Sequence, residues 1–172
     1  MPTLVELVPH DPNWKQCFAA AEMALRTLLG TRVVSVDHIG STAIPGMIAK
    51  PVIDIDITLS SSTEIQAASA ELVGAGYEPR GNRYNDGVWA FLLRTTSPQF
   101  RLYLCPPANR THENRMLFRN YLRQHDETAA TYSSLKRQLV DQFAYDGDRY
   151  TAEKSQFVLE IVKTARENAK LL

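Results

Sequence analysis

The chain reads as a mixed α/β protein: a small mixed β-sheet packed with helices, followed by a C-terminal three-helix segment. Three observations carry this reading. Apolar runs with two-residue alternation are confined to the stretch between Val33 and Leu104. Helical periodicity precedes the first of them and returns after residue 107 without further strand signals. Gly and Pro mark most of the changes of period. A length of 172 residues suits one domain over 1–172, with an α/β portion at 1–107 and a helical portion at 108–172.

The elements follow in order. Asp11 and Pro12 read as an N-cap with proline in the first helical position, and Trp14, Phe18, Ala21, Leu25 and Leu28 form one apolar stripe that Gly30 ends. Val33 to Ile39 reads as a strand, and Pro51 to Leu59 as a second beyond a Gly/Ser/Pro loop. A helix from Thr63 to Val73 follows, closed by Gly74 and Gly76. Val88 to Arg94 and Phe100 to Leu104 flank a short polar turn, which makes an antiparallel hairpin. Helices are expected over 112–125, 128–144 and 149–170, broken at His125-Asp126 and at Gly147.

Composition narrows the function classes. Lys plus Arg equals Asp plus Glu at 19 each, so the molecule as a whole has no electrostatic pull toward nucleic acid or an anionic membrane, and any polyanion site is local. Two cysteines, Cys17 and Cys105, fit a reducing compartment better than a disulfide scaffold. With no basic-then-apolar leader and no long apolar run, a soluble cytoplasmic protein is expected.

The chemistry concentrates in "HIGSTAIPGMIAKPVIDIDITL", residues 38 to 59. On a strand, Ile53, Ile55, Ile57 and Leu59 share one face and Asp54 and Asp56 the other. Two residues cover about 6.6 Å, so the carboxylates converge on one hard cation or hold two ions roughly 3.5 to 4 Å apart. Oxygen ligands select Mg²⁺ or Mn²⁺. The plainer alternative makes both aspartates outward residues of an amphipathic edge strand. In the loop, Gly40 lets backbone approach a ligand, Ser41 and Thr42 bring hydroxyls, a short turn from Ser41 aims N–H groups at an anion, and Lys50 adds a point charge. The same residue types also make ordinary turns.

A strand with Gly-Ser at its exit, then Asp-x-Asp on the next strand, resembles the nucleotidyltransferase superfamily of the DNA polymerase β type, and more narrowly the GrpB-like family. The matching text is "HDPNW" (10–14), "HIGSTAIPGMIAKPVIDI" (38–55), "LFRNYLR" (117–123), "YSSLK" (132–136) and "YTAEKSQFV" (150–158), which spans almost the whole chain. The resemblance implies a small mixed sheet of the nucleotidyltransferase type and a triphosphate site at Gly40, Ser41, Asp54 and Asp56, with Asp54 and Asp56 as metal ligands. Arg119, Lys136 and Lys154 fall on the resembling motifs and join the phosphate-binding set.

One departure stands out. Active nucleotidyltransferases commonly carry a third carboxylate on a neighbouring strand, and GrpB-like relatives often have His-x-His there. "FRLYL" offers Arg101 for a phosphate and Tyr103 for an acceptor oxygen, neither an easy general base. Asp37, His38 and Glu113 remain in reserve, with His38 more often structural beside such a loop. Arg115 and Arg123, each four residues from Arg119 along one helix, read as a solvated face; Tyr132 and Tyr150 read as packing anchors, and Trp14 and Trp89 as core or rim.

These readings lead to a Mg²⁺-dependent (or Mn²⁺-dependent) nucleotidyltransferase. It would move AMP from ATP to a small-molecule hydroxyl or carboxylate with pyrophosphate release, in the carboxylate case through an acyl-adenylate. Asp54, Asp56 and Tyr103 would be catalytic. The alternative is a catalytically silent nucleotide- or anion-binding module on the same scaffold. The expected partners are a nucleoside triphosphate and a small acceptor, with neither nucleic acid nor membrane.

Overall fold

The computed structural model describes residues 4–170. Five strands form one mixed sheet: β1 (Val33–Ile39), β2 (Val52–Leu59), β3 (Glu78–Gly81), β4 (Trp89–Leu93) and β5 (Gln99–Cys105), in the order β1-β2-β5-β4-β3. β2 and β5 run parallel at the centre, and the other pairs are antiparallel. The expected hairpin is present, with Trp89 opposite Leu104 and Leu93 opposite Phe100. Five helices accompany the sheet: α1 (Trp14–Leu29), α2 (Ile65–Gly74), α3 (Arg110–Gln124), α4 (Asp126–Phe143) and α5 (Gly147–Ala169).

The alternation in β2 sorts its side chains as the sequence requires. Ile53, Ile55, Ile57 and Leu59 are fully buried against Trp14, Leu25 and Leu29 of α1 and Ala68 and Leu72 of α2. Each such aliphatic side chain contributes roughly 1.5–3 kcal/mol by leaving water, so the register of β2 is fixed by this face. A one-residue slip would put both aspartates into that core. The opposite face is covered by the helical portion. A second cluster joins Ile44 and Met47, from the loop after β1, to Phe118 and Leu122 of α3, Tyr132 of α4 and Val162 of α5. The loop that carries Gly40 and Ser41 is therefore clamped under three helices.

Several boundaries move, each for a local reason. α1 begins at Trp14 with Asn13 as its N-cap, because the Asp11 carboxylate accepts the Asn13 N–H at 2.9 Å and spends Asp11-Pro12 on a preceding turn. Pro51 lies just outside β2, where the Val52 N–H closes a tight turn on the Lys50 carbonyl at 2.7 Å. The helix expected from Thr63 opens as a 3-10 turn, Ser62–Glu64, capped by the Ser61 hydroxyl. α3 starts earlier than expected because the Asn109 side chain accepts the His112 N–H at 3.1 Å. The short edge strand β3 has no counterpart in the sequence reading: Glu78, Pro79, Arg80 and Gly81 show no apolar alternation, and proline is tolerated there because the strand lies at the sheet edge. No helix among the described residues is long and apolar enough to cross a membrane.

Candidate functional site

The polar face of β2 meets its neighbours in register. Asp54 lies beside Arg101 and Asp56 beside Tyr103 on β5, while Asp37 of β1 lies beside Asp56 on the other side. Asp56 is wholly buried, and its two oxygens are both engaged: Arg115 Nη1 donates to Oδ1 at 2.7 Å, and His112 Nδ1 lies 2.8 Å from Oδ2. The other ring nitrogen of His112 sits 3.6 Å from Asp37 Oδ2, which also receives the Ser35 hydroxyl at 2.8 Å. The hydrogen bond to Asp56 raises the His112 pKa above its ordinary value. The Arg115 guanidinium also covers the Tyr103 ring at 4.0 Å. Burial pushes the Tyr103 hydroxyl up to about 12.

The loop after β1 is built around Asp54. Gly40 has φ +71°, and a Cβ there would stand 2.9 Å from Asp54 Oδ2, so a side chain is excluded both by conformation and by contact. A 3-10 turn, Ser41–Ala43, follows. The His38 ring stacks on Phe18 at 4.8 Å and shares a 2.9 Å hydrogen bond with the buried Thr42 hydroxyl. Burial, with Arg123 and Arg119 nearby, lowers the His38 pKa to about 4, so this histidine is neutral and structural. Arg119 donates to the His38 carbonyl at 2.9 Å, and Arg123 donates twice to the Ala43 carbonyl, at 2.7 and 2.9 Å. These two arginines staple the loop from behind.

On the near side, a cavity of about 140 Å³ opens between loop, sheet and helices. Ser41, Thr42, Lys50, Asp54, Arg101, Lys136 and Lys154 line it, seven of the side chains that the sequence singles out. Lys136 is almost fully buried and donates to the Ser41 hydroxyl at 2.9 Å and to the Ile48 carbonyl. Arg101 Nη1 approaches Asp54 Oδ1 at 3.4 Å. Lys50 and Lys154 place their ammonium groups 4.7 and 4.3 Å from the centre of the same Tyr150 ring. Burial, reinforced by neighbouring cations, lowers Lys136 to about 7 and Lys154 to about 8. Lys50 moves in the same direction, chiefly by burial.

Four expected participants lie outside the cavity lining. Gly40 supports Asp54 from behind, Arg119 faces the His38 carbonyl, and Asp56 and Tyr103 sit under α3. The solvated-face reading fails for Arg115, which is half-buried on Asp56, and holds only in part for Arg123, which is exposed along its stem and bonded at its head. Tyr150, read as a packing anchor, is buried as expected and also lines the cavity, with Thr151 beside it. The roles of His112 and Arg115 escaped the sequence reading. Spacing held the signal for Arg115: it precedes Phe118 by three and Leu122 by seven residues, and both of those are buried.

Asp54 and Asp56 do not form the shared metal pair expected of them. A divalent ion bridging them does not fit the side chains as they stand. Asp56 gives both oxygens to Arg115 and His112, Asp54 faces Arg101, and no carboxylate stands opposite them on β5. Among the described residues, Asp56, Cys105 and His112 bring metal-capable atoms within 4.8 Å of one another. An ion there would have to displace the Arg115 guanidinium and ionise a thiol whose pKa burial pushes well up.

A mixed sheet with a Gly-Ser turn leading into an Asp-x-Asp strand, closed by helices, defines a protein of the nucleotidyltransferase-type α/β fold. The family model described as GrpB protein matches residues 4–164, and the chain belongs to that family. Among curated relatives it is 32% identical over 166 residues to the UPF0157 protein YqkA of Bacillus subtilis, covering 96% of this chain and 47% of YqkA, so the chain spans about half of that relative's length. Among solved structures, the conserved protein GrpB from Enterococcus faecalis superposes with a TM-score of 0.87 at 27% identity, over 95% of this chain and 99% of that one. The Cid1 poly(U) polymerase with Mg 3′-dATP bound shares the fold at a TM-score of 0.55 and 16% identity, over 78% of this chain and 43% of that one.

Proposed function

We propose that this protein binds a nucleoside triphosphate by its phosphates, as a nucleotide-binding module on the nucleotidyltransferase scaffold. The observation that carries the reading is the convergence of Lys50, Lys136, Lys154 and Arg101 on one small cavity beside the Ser41 and Thr42 hydroxyls, with Asp54 the one carboxylate in its wall. Arg101 and three lysines against one acid make a local positive field at and below neutral pH in a molecule of zero formal net charge. At about 140 Å³ the cavity is smaller than the ~300–1,000 Å³ of ordinary small-molecule pockets, a size that suits enclosed phosphates with the nucleoside outside. The fold shared with Cid1, whose structure has Mg 3′-dATP bound, favours a nucleotide over other polyphosphates.

Titration calorimetry with ATP, GTP and UTP tests the reading. Lys154→Gln is expected to weaken binding at least tenfold while circular dichroism stays unchanged. Undiminished affinity in that variant, or no binding by the natural chain, sinks it.

A second reading is AMP transfer to a small-molecule hydroxyl or carboxylate, and it is favoured by Asp54, whose carboxylate reaches the cavity wall. In this reading an acceptor carboxylate attacks the α-phosphorus in line with departing pyrophosphate to give an acyl-adenylate, and an acceptor hydroxyl does the same while its proton passes to the Asp54 carboxylate. Lys50, Lys154 and Arg101 would hold the leaving phosphates and offset their charge. Pyrophosphate released from ATP in the presence of Mg²⁺ or Mn²⁺ and a pool of metabolites would establish it. Binding with no release from any pool leaves the module.

A further inference from the structure

We infer that the ligand of this cavity is a metal-free polyphosphate, with guanidinium and imidazole groups of the protein standing where a divalent ion would otherwise stand. The inference rests on the phosphate-site reading above and specifies its ligand.

The acids on this sheet face each have a cationic or hydrogen-bonding partner within the protein. Asp56 is buried with Arg115 at 2.7 Å and His112 at 2.8 Å. Asp37 is shared between His112 and the Ser35 hydroxyl. Asp54, the one acid in the cavity wall, has Arg101 beside it at 3.4 Å. A buried carboxylate that accepts two charge-assisted hydrogen bonds has little attraction left for a cation, and stripping those donors would leave a buried charge on the protein in their place.

The lysines point the same way. Lys50 and Lys154 crowd one Tyr150 ring, Lys136 is sealed behind Ser41, and a hydrated dication among them would add to their mutual repulsion. An anion relieves it. Mg²⁺ bound to a triphosphate cancels part of the negative charge that these lysines attract, so the free anion is the better match.

Calorimetry in EDTA and in excess Mg²⁺, with ATP and with inorganic tripolyphosphate, tests the inference. Both ligands are expected to bind at least as tightly in EDTA as in Mg²⁺. Equal affinity of the two identifies the phosphates alone as the ligand, and tighter ATP identifies a nucleotide; either supports the inference when EDTA does not weaken it. Binding that requires Mg²⁺, by tenfold or more, overturns it and leaves the phosphate site standing. Absence of binding in both media overturns the phosphate site as well. Arg101→Gln provides a second measurement. Removing the built-in cation should lower affinity in EDTA by at least tenfold and make it responsive to Mg²⁺, and a variant with unchanged EDTA affinity counts against the inference.

Discussion

Two residues show how closely the fold is tied to the site. Gly40 is required where the backbone turns left-handed against a carboxylate. Gly40→Ala is expected to cost about 1–3 kcal/mol from the conformation alone, since φ +71° with ψ −173° is essentially confined to glycine, with more from the 2.9 Å approach to Asp54 Oδ2. A urea melt should show the loss, and phosphate affinity should fall with it. Arg115 is half-buried against the wholly buried Asp56, and removing it leaves that carboxylate with His112 as its remaining partner. Arg115→Leu is expected to destabilise by ~3–5 kcal/mol, and adding Asp56→Asn should recover part of that, because the stranded charge is gone. A double-mutant cycle that shows simple additivity would mean that the pair is not coupled. Sequence reasoning reached Asp56 as half of an acidic pair but not its partners, since a strand pattern shows which face a side chain takes and not what comes down on that face.

At the scale of elements, β1, β2, the hairpin and the three C-terminal helices were legible, because each combines a clear period with Gly, Pro or a capping side chain at its ends. β3 was not, because an edge strand four residues long needs no apolar face. The cavity was largely legible too: Ser41, Lys50, Asp54, Arg101, Lys136 and Lys154 all reach it. The split between Asp54, which faces the cavity, and Asp56, which faces α3, was not, because it depends on where α3 crosses the sheet. The lysines of α4 and α5 carry a prediction about pH. Lys136 is held at about 7 against an ordinary value of 10.5, so between those values the unfolded chain binds a proton that the fold does not. Its contribution to stability therefore rises with pH across that window, and the full penalty of burying the ammonium is felt below it. A bound polyphosphate favours the charged form, so binding near and above pH 8 should take up protons at Lys136 and Lys154. Calorimetry in two buffers of different ionisation enthalpy should register that uptake, and affinity should fall at least tenfold between pH 6 and pH 9.

For the whole molecule, the decisive fact is that one cavity touches every layer. Its wall draws Ser41 from the loop, Asp54 from β2, Arg101 from β5, Lys136 from α4 and Lys154 from α5. It thus bridges the sheet core around Ile53 and Leu102 and the helical cluster around Phe118 and Tyr132. A ligand that engages all five segments stabilises both cores together. At a concentration one hundred times its dissociation constant, that stabilisation is about 2.7 kcal/mol, and each kcal/mol moves the midpoint of a domain of this size by about 2–4 °C. Tripolyphosphate should therefore raise the melting temperature by roughly 5–10 °C as a single transition seen alike by tryptophan fluorescence and circular dichroism. Trp14 lies in the sheet core and more than half of the chain's helix lies in α3, α4 and α5, so the two signals weight different parts of the molecule. Lys154→Gln, binding at least tenfold more weakly, should cut the shift to about half or less in both. A shift confined to one signal would mean that the ligand engages the sheet or the helices but not the seam between them, and the shared phosphate cavity would have to be given up.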